Sequence, residues 1–220
     1  MPDSKPWFIH DQRWSVLTAT SDRKKYLDPE VLRYGRVTRL DVNELDQAWR
    51  TLPSWDDLAM GSTHVVDDLG QPISLHRVII TSDAGIGKTK ATEWLDHRIN
   101  HPSTTSASSV MAFRFDVRTF LDGRQVTEFS VADQLIDELT DRWVKACEQQ
   151  GTDANPTHFR AHLDSAARRG EICLLMDGLD QASEDDWKPI FWLLNSVKFK
   201  PCRFILAGRS NVIWLSLIHI

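Results

Sequence analysis

The chain has 220 residues, 41% of them hydrophobic and 26% charged, which suits one globular domain with an appendage and excludes a disordered or fibrous protein. Its formal net charge of −5 gives no overall footprint for nucleic acid or an anionic membrane. Cys147, Cys173 and Cys202 are odd in number and widely spaced, with no CxxC, so neither a disulfide framework nor a zinc knuckle is indicated. A reducing cytoplasm is the default compartment. The opening MPDSKPWFIHDQRW contains no apolar run long enough for a signal peptide or a membrane span. Nine tryptophans, spread along the chain, read as core anchors.

Residues 1–70 form an N-terminal lead-in expected to pack on the core, without a repeat or a catalytic motif. Tyr26 to Val31 reads as a short strand or a turn. Val42 to Leu52 carries Leu45, Ala48, Trp49 and Leu52 at helical spacing, with Pro53 as its stop. Asp67 to Pro72 is a polar turn. The short basic groups Lys24-Lys25, Arg168-Arg169, and Lys198 with Lys200 and Arg203 read as solvated faces or helix ends.

The next stretch is the most informative. Val78 to Thr81 is a β-branched run that reads as a buried strand. It breaks at Ser82 to Gly87, and a helix then runs from Lys88 to about Ile99, with Ala91, Trp94, Leu95, Arg98 and Ile99 at helical spacing. Gly87-Lys88-Thr89 closes a P-loop pattern in which Ser82 stands where the first glycine is usual. Backbone N–H groups from Ala84 to Lys88 can cradle phosphate oxygens. Gly85 and Gly87 let the backbone approach closely, and the helix N-terminus adds partial positive charge. Lys88 bridges the outer phosphates in such a site, and the Thr89 hydroxyl ligates Mg²⁺. The predicted nucleotide contacts are Asp83, Ala84, Gly85, Ile86, Gly87, Lys88, Thr89 and Lys90.

A Ser- and Thr-rich loop, residues 101–109, leads to a second strand over Val110 to Val117. Ser130 is placed to cap a helix through about Gln149, with Val131, Leu135, Leu139, Trp143 and Ala146 on one face. Asn155-Pro156 starts another helix, which Arg168-Arg169-Gly170 ends. Ile172 to Met176 is a strand buried on both faces, with Asp177 at its C-terminal end and Asp180 a turn later. Ligands of open α/β sheets bind at that end. Asp177 can hold Mg²⁺ through Thr89 and water. A short helix over Asp185 to Val197, with Pro189 near its start, precedes a last buried strand, Cys202 to Ala207, followed by Gly208-Arg209-Ser210. His158 and His162 share a helical face but read as an exposed pair. Pro102 argues against a shared face for His97 and His101.

Asp83-Ala-Gly-Ile-Gly-Lys-Thr, Arg169-Gly-Glu-Ile-Cys-Leu-Leu-Met-Asp-Gly-Leu-Asp-Gln and Phe204-Ile-Leu-Ala-Gly-Arg-Ser occur in this order. Over about residues 70–212 the chain resembles the NACHT group of STAND P-loop NTPases, and Asp-Gly-Leu-Asp is the most specific element. The resemblance implies an α/β, three-layer P-loop NTPase core with a mainly parallel sheet (ASCE/AAA-like). It implies binding of ATP or ADP with Mg²⁺ and a cytoplasmic nucleotide-controlled signalling or defence switch that gates homo-oligomerisation. It also implies Asp177 on the metal and Arg209 as sensor of the terminal phosphate. The predicted catalytic residues are Asp180 and Arg209. The family usually places Glu where Gln181 stands, and a neutral amide is no base. Weak ATP hydrolysis through Asp180 therefore stands beside an alternative, a non-hydrolysing nucleotide-binding interaction module. Neither a membrane nor nucleic acid is an expected partner.

The expected organisation is a lead-in over 1–70, a core over 71–214 that is incomplete at its C-terminus, and a non-native tail over 215–220. Leu215-Ser-Leu-Ile-His-Ile resembles a translated sequencing adapter and is set aside. In the family the P-loop strand lies between the arginine strand and a fifth strand that follows it. With that strand and the lid missing, Val78 to Thr81 is expected to form an unpaired apolar edge through which the chain associates, and ATP binding is expected to be weak.

Overall fold

The computed structural model describes residues 14–19, 32–37, 50–51, 55–61, 75–82, 88–101 and 110–209. The expectations for Tyr26 to Val31, for the turn before the P-loop strand, for 83–87 and for the tail lie outside these residues. The sheet has the order β3-β2-β1-β4-β7-β6-β5, where β1 is Trp14–Ala19, β2 Leu32–Val37, β3 Arg50–Thr51, β4 Arg77–Ser82, β5 Met111–Asp116, β6 Ile172–Asp177 and β7 Arg203–Gly208. Its heart, β4-β7-β6-β5, is all-parallel, so each neighbour pair needs a crossover, and helices supply the crossovers that the described chain contains.

The residues of these strands alternate between two cores, as their period of two requires. Ile79, Leu174, Met176, Phe204 and Leu206 face α3 (Val131–Gln149), α4 (Pro156–Arg169) and α5 (Glu184–Asn195). Val78, Ile80, Cys173, Leu175, Ile205 and Ala207 face α1 (Trp55–Met60) and α2 (Lys88–Asn100). All six residues of β6 and of β7 are buried, which explains the apolar runs Ile172 to Met176 and Phe204 to Ala207. Helices thus cover both faces of a parallel sheet, as a three-layer α/β core requires.

The expected bounds of α4 meet their physical reason here. Asn155 caps α4 by accepting the His158 N–H at 3.0 Å, Pro156 takes the first turn, and Gly170 ends the helix at φ 75°. Ser183 and Asp186 form a reciprocal capping box on α5.

Other expectations are corrected. Strand β4 is no free edge: β1 pairs with it in parallel, Val16 opposite Ile79, so the lead-in supplies the neighbour and the expected association edge is absent. Of the helix expected over Val42 to Leu52, Arg50 and Thr51 instead form β3, and 42–49 lie outside the described residues. Ser130 is helical in its own backbone and makes no side-chain cap, because its hydroxyl accepts the Thr127 N–H at 3.0 Å. Pro189 lies inside α5, past its first turn. β5 ends at Asp116, and Val117 turns into a short 3₁₀ segment. Trp94 is exposed while Thr92 is buried, and of the tryptophans whose side chains are described only Trp187 is buried outright. His97 and His101 do share a face: the helical bond from the His101 N–H to the His97 carbonyl persists at 2.9 Å, and the rings meet edge-on with centroids 4.5 Å apart.

The cluster Lys198, Lys200 and Arg203 is not one solvated face. Arg203 is 3% exposed and donates from Nη1 to the Ala59 carbonyl at 2.9 Å and from Nη2 to the Leu58 carbonyl. It closes the last turn of α1, where carbonyls lack helical partners.

Candidate functional site

The four parallel strands β4, β5, β6 and β7 put their C-terminal ends on one edge of the sheet. The direction of α2 follows from its far end. The Asn100 side chain donates to the Ala112 carbonyl at 3.0 Å and accepts the Ala112 N–H at 2.9 Å, near the start of β5. The helix therefore runs back along the sheet, and Lys88 and Thr89, which open it, lie at the C-terminal edge. Residues Asp83 to Gly87 lie outside the described residues.

Three carboxylates and two guanidiniums gather at this edge. Asp177 ends β6 and is 9% exposed, and its Oδ1 accepts the Gly178 N–H at 2.9 Å. Gly178 follows at φ 84°, a left-handed value that glycine adopts without cost. That turn swings the chain into the 3₁₀ segment Leu179–Gln181, with Leu179 fully buried as its anchor. Asp180 is thereby brought to Arg209, the residue after β7, with Nε 2.8 Å from Oδ2. The two predicted catalytic residues thus form an ion pair.

Asp116 and Arg118 were not singled out from the sequence. Asp116 ends β5 directly opposite Asp177 in the parallel register. Arg118 grips it with both arms, Nε to Oδ1 at 3.0 Å and Nη2 to Oδ2 at 2.6 Å. The hydrogen bond from Arg118 holds the Asp116 carboxyl below the usual carboxylate range, against some desolvation. The Arg118 guanidinium is raised in turn, first by that bond, and it also feels the charges of Asp177 and Asp180. One signal was legible: β5, like β6, is an apolar strand that ends in aspartate. That the two ends meet is set by register, which sequence does not give.

Arg118 thus neutralises Asp116 and Arg209 neutralises Asp180, leaving Asp177 without a guanidinium partner among the described residues. Mg²⁺ bound with a nucleotide needs only one or two carboxylates, since phosphate and water complete its shell. One carboxylate outside any ion pair among the described residues, on the same sheet edge as the helix-opening Lys88-Thr89, fits that donor set. Lys90 instead pairs with Glu93 on its own helix at 2.6 Å, and Gln181 is exposed. Among the described residues no group of three or more His, Cys, Asp or Glu side chains could hold a metal without other ligands, and His158 and His162 are exposed.

No family model matches the chain, and no curated protein or solved structure matches it.

Proposed function

We propose that the chain is a nucleotide-controlled switch of the NACHT-like P-loop type, binding ATP or ADP with Mg²⁺ at the C-terminal edge of its sheet. The observation that carries this reading is convergence. Lys88, Asp177, Asp180 and Arg209 come from three segments far apart in sequence, and the chain brings them to one edge of a parallel sheet with the P-loop strand beside the arginine strand.

In this reading residues 83–87 and the N-terminus of α2 receive the phosphates, and Lys88 offsets their outer charge. Thr89 and Asp177 hold Mg²⁺, which when bound neutralises charge that develops on the phosphates. Arg209 reaches the terminal phosphate. Asp180 orients or deprotonates the attacking water once its Oδ2 is released from Arg209, because a base must have its lone pair turned to the proton it takes.

The same ion pair favours a second reading. With Asp180 engaged and the neutral Gln181 beside it, the site suits a non-hydrolysing interaction module held in one state by its nucleotide. Turnover of Gln181→Glu separates the two. A rise above the unmodified rate marks a hydrolase short of one carboxylate. No hydrolysis in either form marks the binding module. In both readings the output is a signalling or defence response through homo-oligomerisation in the cytoplasm. The primary test is calorimetry of ATP and ADP with Mg²⁺ on the 220-residue chain and on Lys88→Ala. Binding that the variant loses supports the reading, and equal binding by both forms removes it.

A further inference from the structure

We propose that Asp180 sets the preference of this site for a nucleoside triphosphate over a diphosphate, by competing with the terminal phosphate for Arg209. The proposal rests on the nucleotide-site reading above.

The two partners of the ion pair are held very differently. The Asp180 side chain is 5% exposed and that of Arg209 46%. Asp180 is fixed within a turn that starts at the left-handed Gly178, is anchored by the buried Leu179 and is closed by the Gln181 N–H on the Gly178 carbonyl at 2.9 Å. Arg209 stands just past the end of β7, on a long side chain half in water. When the pair opens, the arginine leaves and the acid stays.

A guanidinium presents the same planar fork to a carboxylate and to a phosphate, so the two compete for the same donors. Asp180 is not stripped of positive charge when Arg209 departs. Arg118, across the strand ends, lies close enough for the Asp180 charge to act on it. Only a ligand with a terminal phosphate offers Arg209 a replacement partner. Opening the pair therefore weakens triphosphate binding and leaves diphosphate binding untouched, and the ratio of the two affinities reads the strength of the contact.

The test is calorimetry on the whole chain with Mg²⁺, using ADP and a non-hydrolysable triphosphate analogue so that chemistry cannot intervene. Asp180→Asn keeps the shape of the side chain and removes its charge, and Asp180→Ser serves the same purpose should the amide variant fail to fold. Analogue affinity should rise by roughly three- to tenfold while ADP affinity stays within about twofold. The double variant Asp180→Asn with Arg209→Met removes both members of the pair, and its ratio of analogue to ADP affinity should fall below that of Asp180→Asn by roughly the same three- to tenfold. An unchanged or lower ratio in the Asp180 variants, with ADP binding intact and lost in Lys88→Ala, overturns the competition and spares the site. No binding of either nucleotide by the unmodified chain overturns both.

Discussion

The two ends of the parallel sheet handle arginine in opposite ways. At the end where β4 and β7 begin, Arg203 and Arg77 are 3% and 4% exposed, and their terminal guanidinium nitrogens donate to backbone carbonyls. Arg203 holds Leu58 and Ala59, while Arg77 holds Cys202 and Lys200 and lies over the Phe204 ring, 4.1 Å from its centroid. Burial pushes the Arg77 guanidinium down to about 10, against an opposing contribution from the Cys202 thiol. At the other end, Arg118 and Arg209 are about half exposed and are satisfied by carboxylates. A buried carbonyl has no other partner to turn to, so those bonds are permanent parts of the fold. A carboxylate at a wet edge is one anion among several, and its guanidinium can pass to a phosphate. The same side chain is structural or exchangeable according to which end of a strand it occupies.

Substitution tests the contrast directly. Arg203→Met removes both donors from buried carbonyls of α1 and should lower the unfolding free energy by about 3–5 kcal/mol. Arg209→Met, at the exposed end of the same strand, should cost about 1–2 kcal/mol, because Asp180 keeps the field of Arg118. Urea denaturation of both variants measures the difference, and equal losses would break the distinction between the two ends. Next in size, Lys88→Ala should weaken nucleotide binding by roughly ten- to a hundredfold, the worth of one or two charge-assisted hydrogen bonds. Its unfolding midpoint should stay put, since a residue that opens a helix at the C-terminal edge of the sheet carries little of the core. A large fall in stability would move Lys88 from the site to the scaffold.

How far the sequence led depended on which contacts were local. The strands β4, β6 and β7, and the bounds of α4, were legible because runs such as Ile172 to Met176 and the caps Asn155 and Gly170 act within a few residues. The gathering of Lys88, Asp177 and Arg209 was read through motif order. The ion pair of Asp180 with Arg209 was not, because a glycine turn and a strand end decide it together. The three basic residues that read as one solvated cluster part company: Lys200 stays exposed, Arg203 is buried under α1, and Lys198 ties two helices. Helix α1, only six residues long, was too short to show a period, so nothing in the sequence announced the carbonyls that Arg203 serves. The pairing of β1 with β4 was likewise hidden, since strand neighbours distant in sequence leave no local mark.

The C-terminal end of the sheet also depends on one backbone conformation. Gly178 has φ 84°, and a Cβ there would lie 3.4 Å from Asp116 Oδ1. That distance is an ordinary contact, so the cost of Gly178→Ala, about 1–2 kcal/mol, should come from the left-handed conformation. Because this turn carries Asp177 into Asp180, nucleotide affinity should fall along with stability. A variant that loses stability and keeps its ADP affinity would show that the acids are positioned by their strands alone.

The smallest effect concerns Lys198, which lies between the permanent and the exchangeable kinds of contact. Its side chain is 15% exposed, and its ammonium bridges Asp133 of α3, at 2.6 Å, and Asp164 of α4. Burial lowers the Lys198 pKa, but the two carboxylate bonds outweigh it and hold it above the ordinary lysine value. The bond from Lys198, with a second from Arg168, holds the Asp164 carboxyl below the usual range. The signs then follow. A depressed carboxylate contributes stability above its unfolded pKa of about 4 and loses it as pH falls through the lower folded value. A raised ammonium contributes below its unfolded pKa of about 10.4 and loses it as pH rises through the higher folded value. Lys198→Met should therefore cost about 1 kcal/mol across the plateau between these limits. The gap from the unmodified chain should close both below about pH 4 and above about pH 10.4. Urea unfolding of both forms from acid to alkaline pH reads the gap directly, and a gap that stays constant into acid would show that Lys198 acts through its packed methylenes rather than its charge.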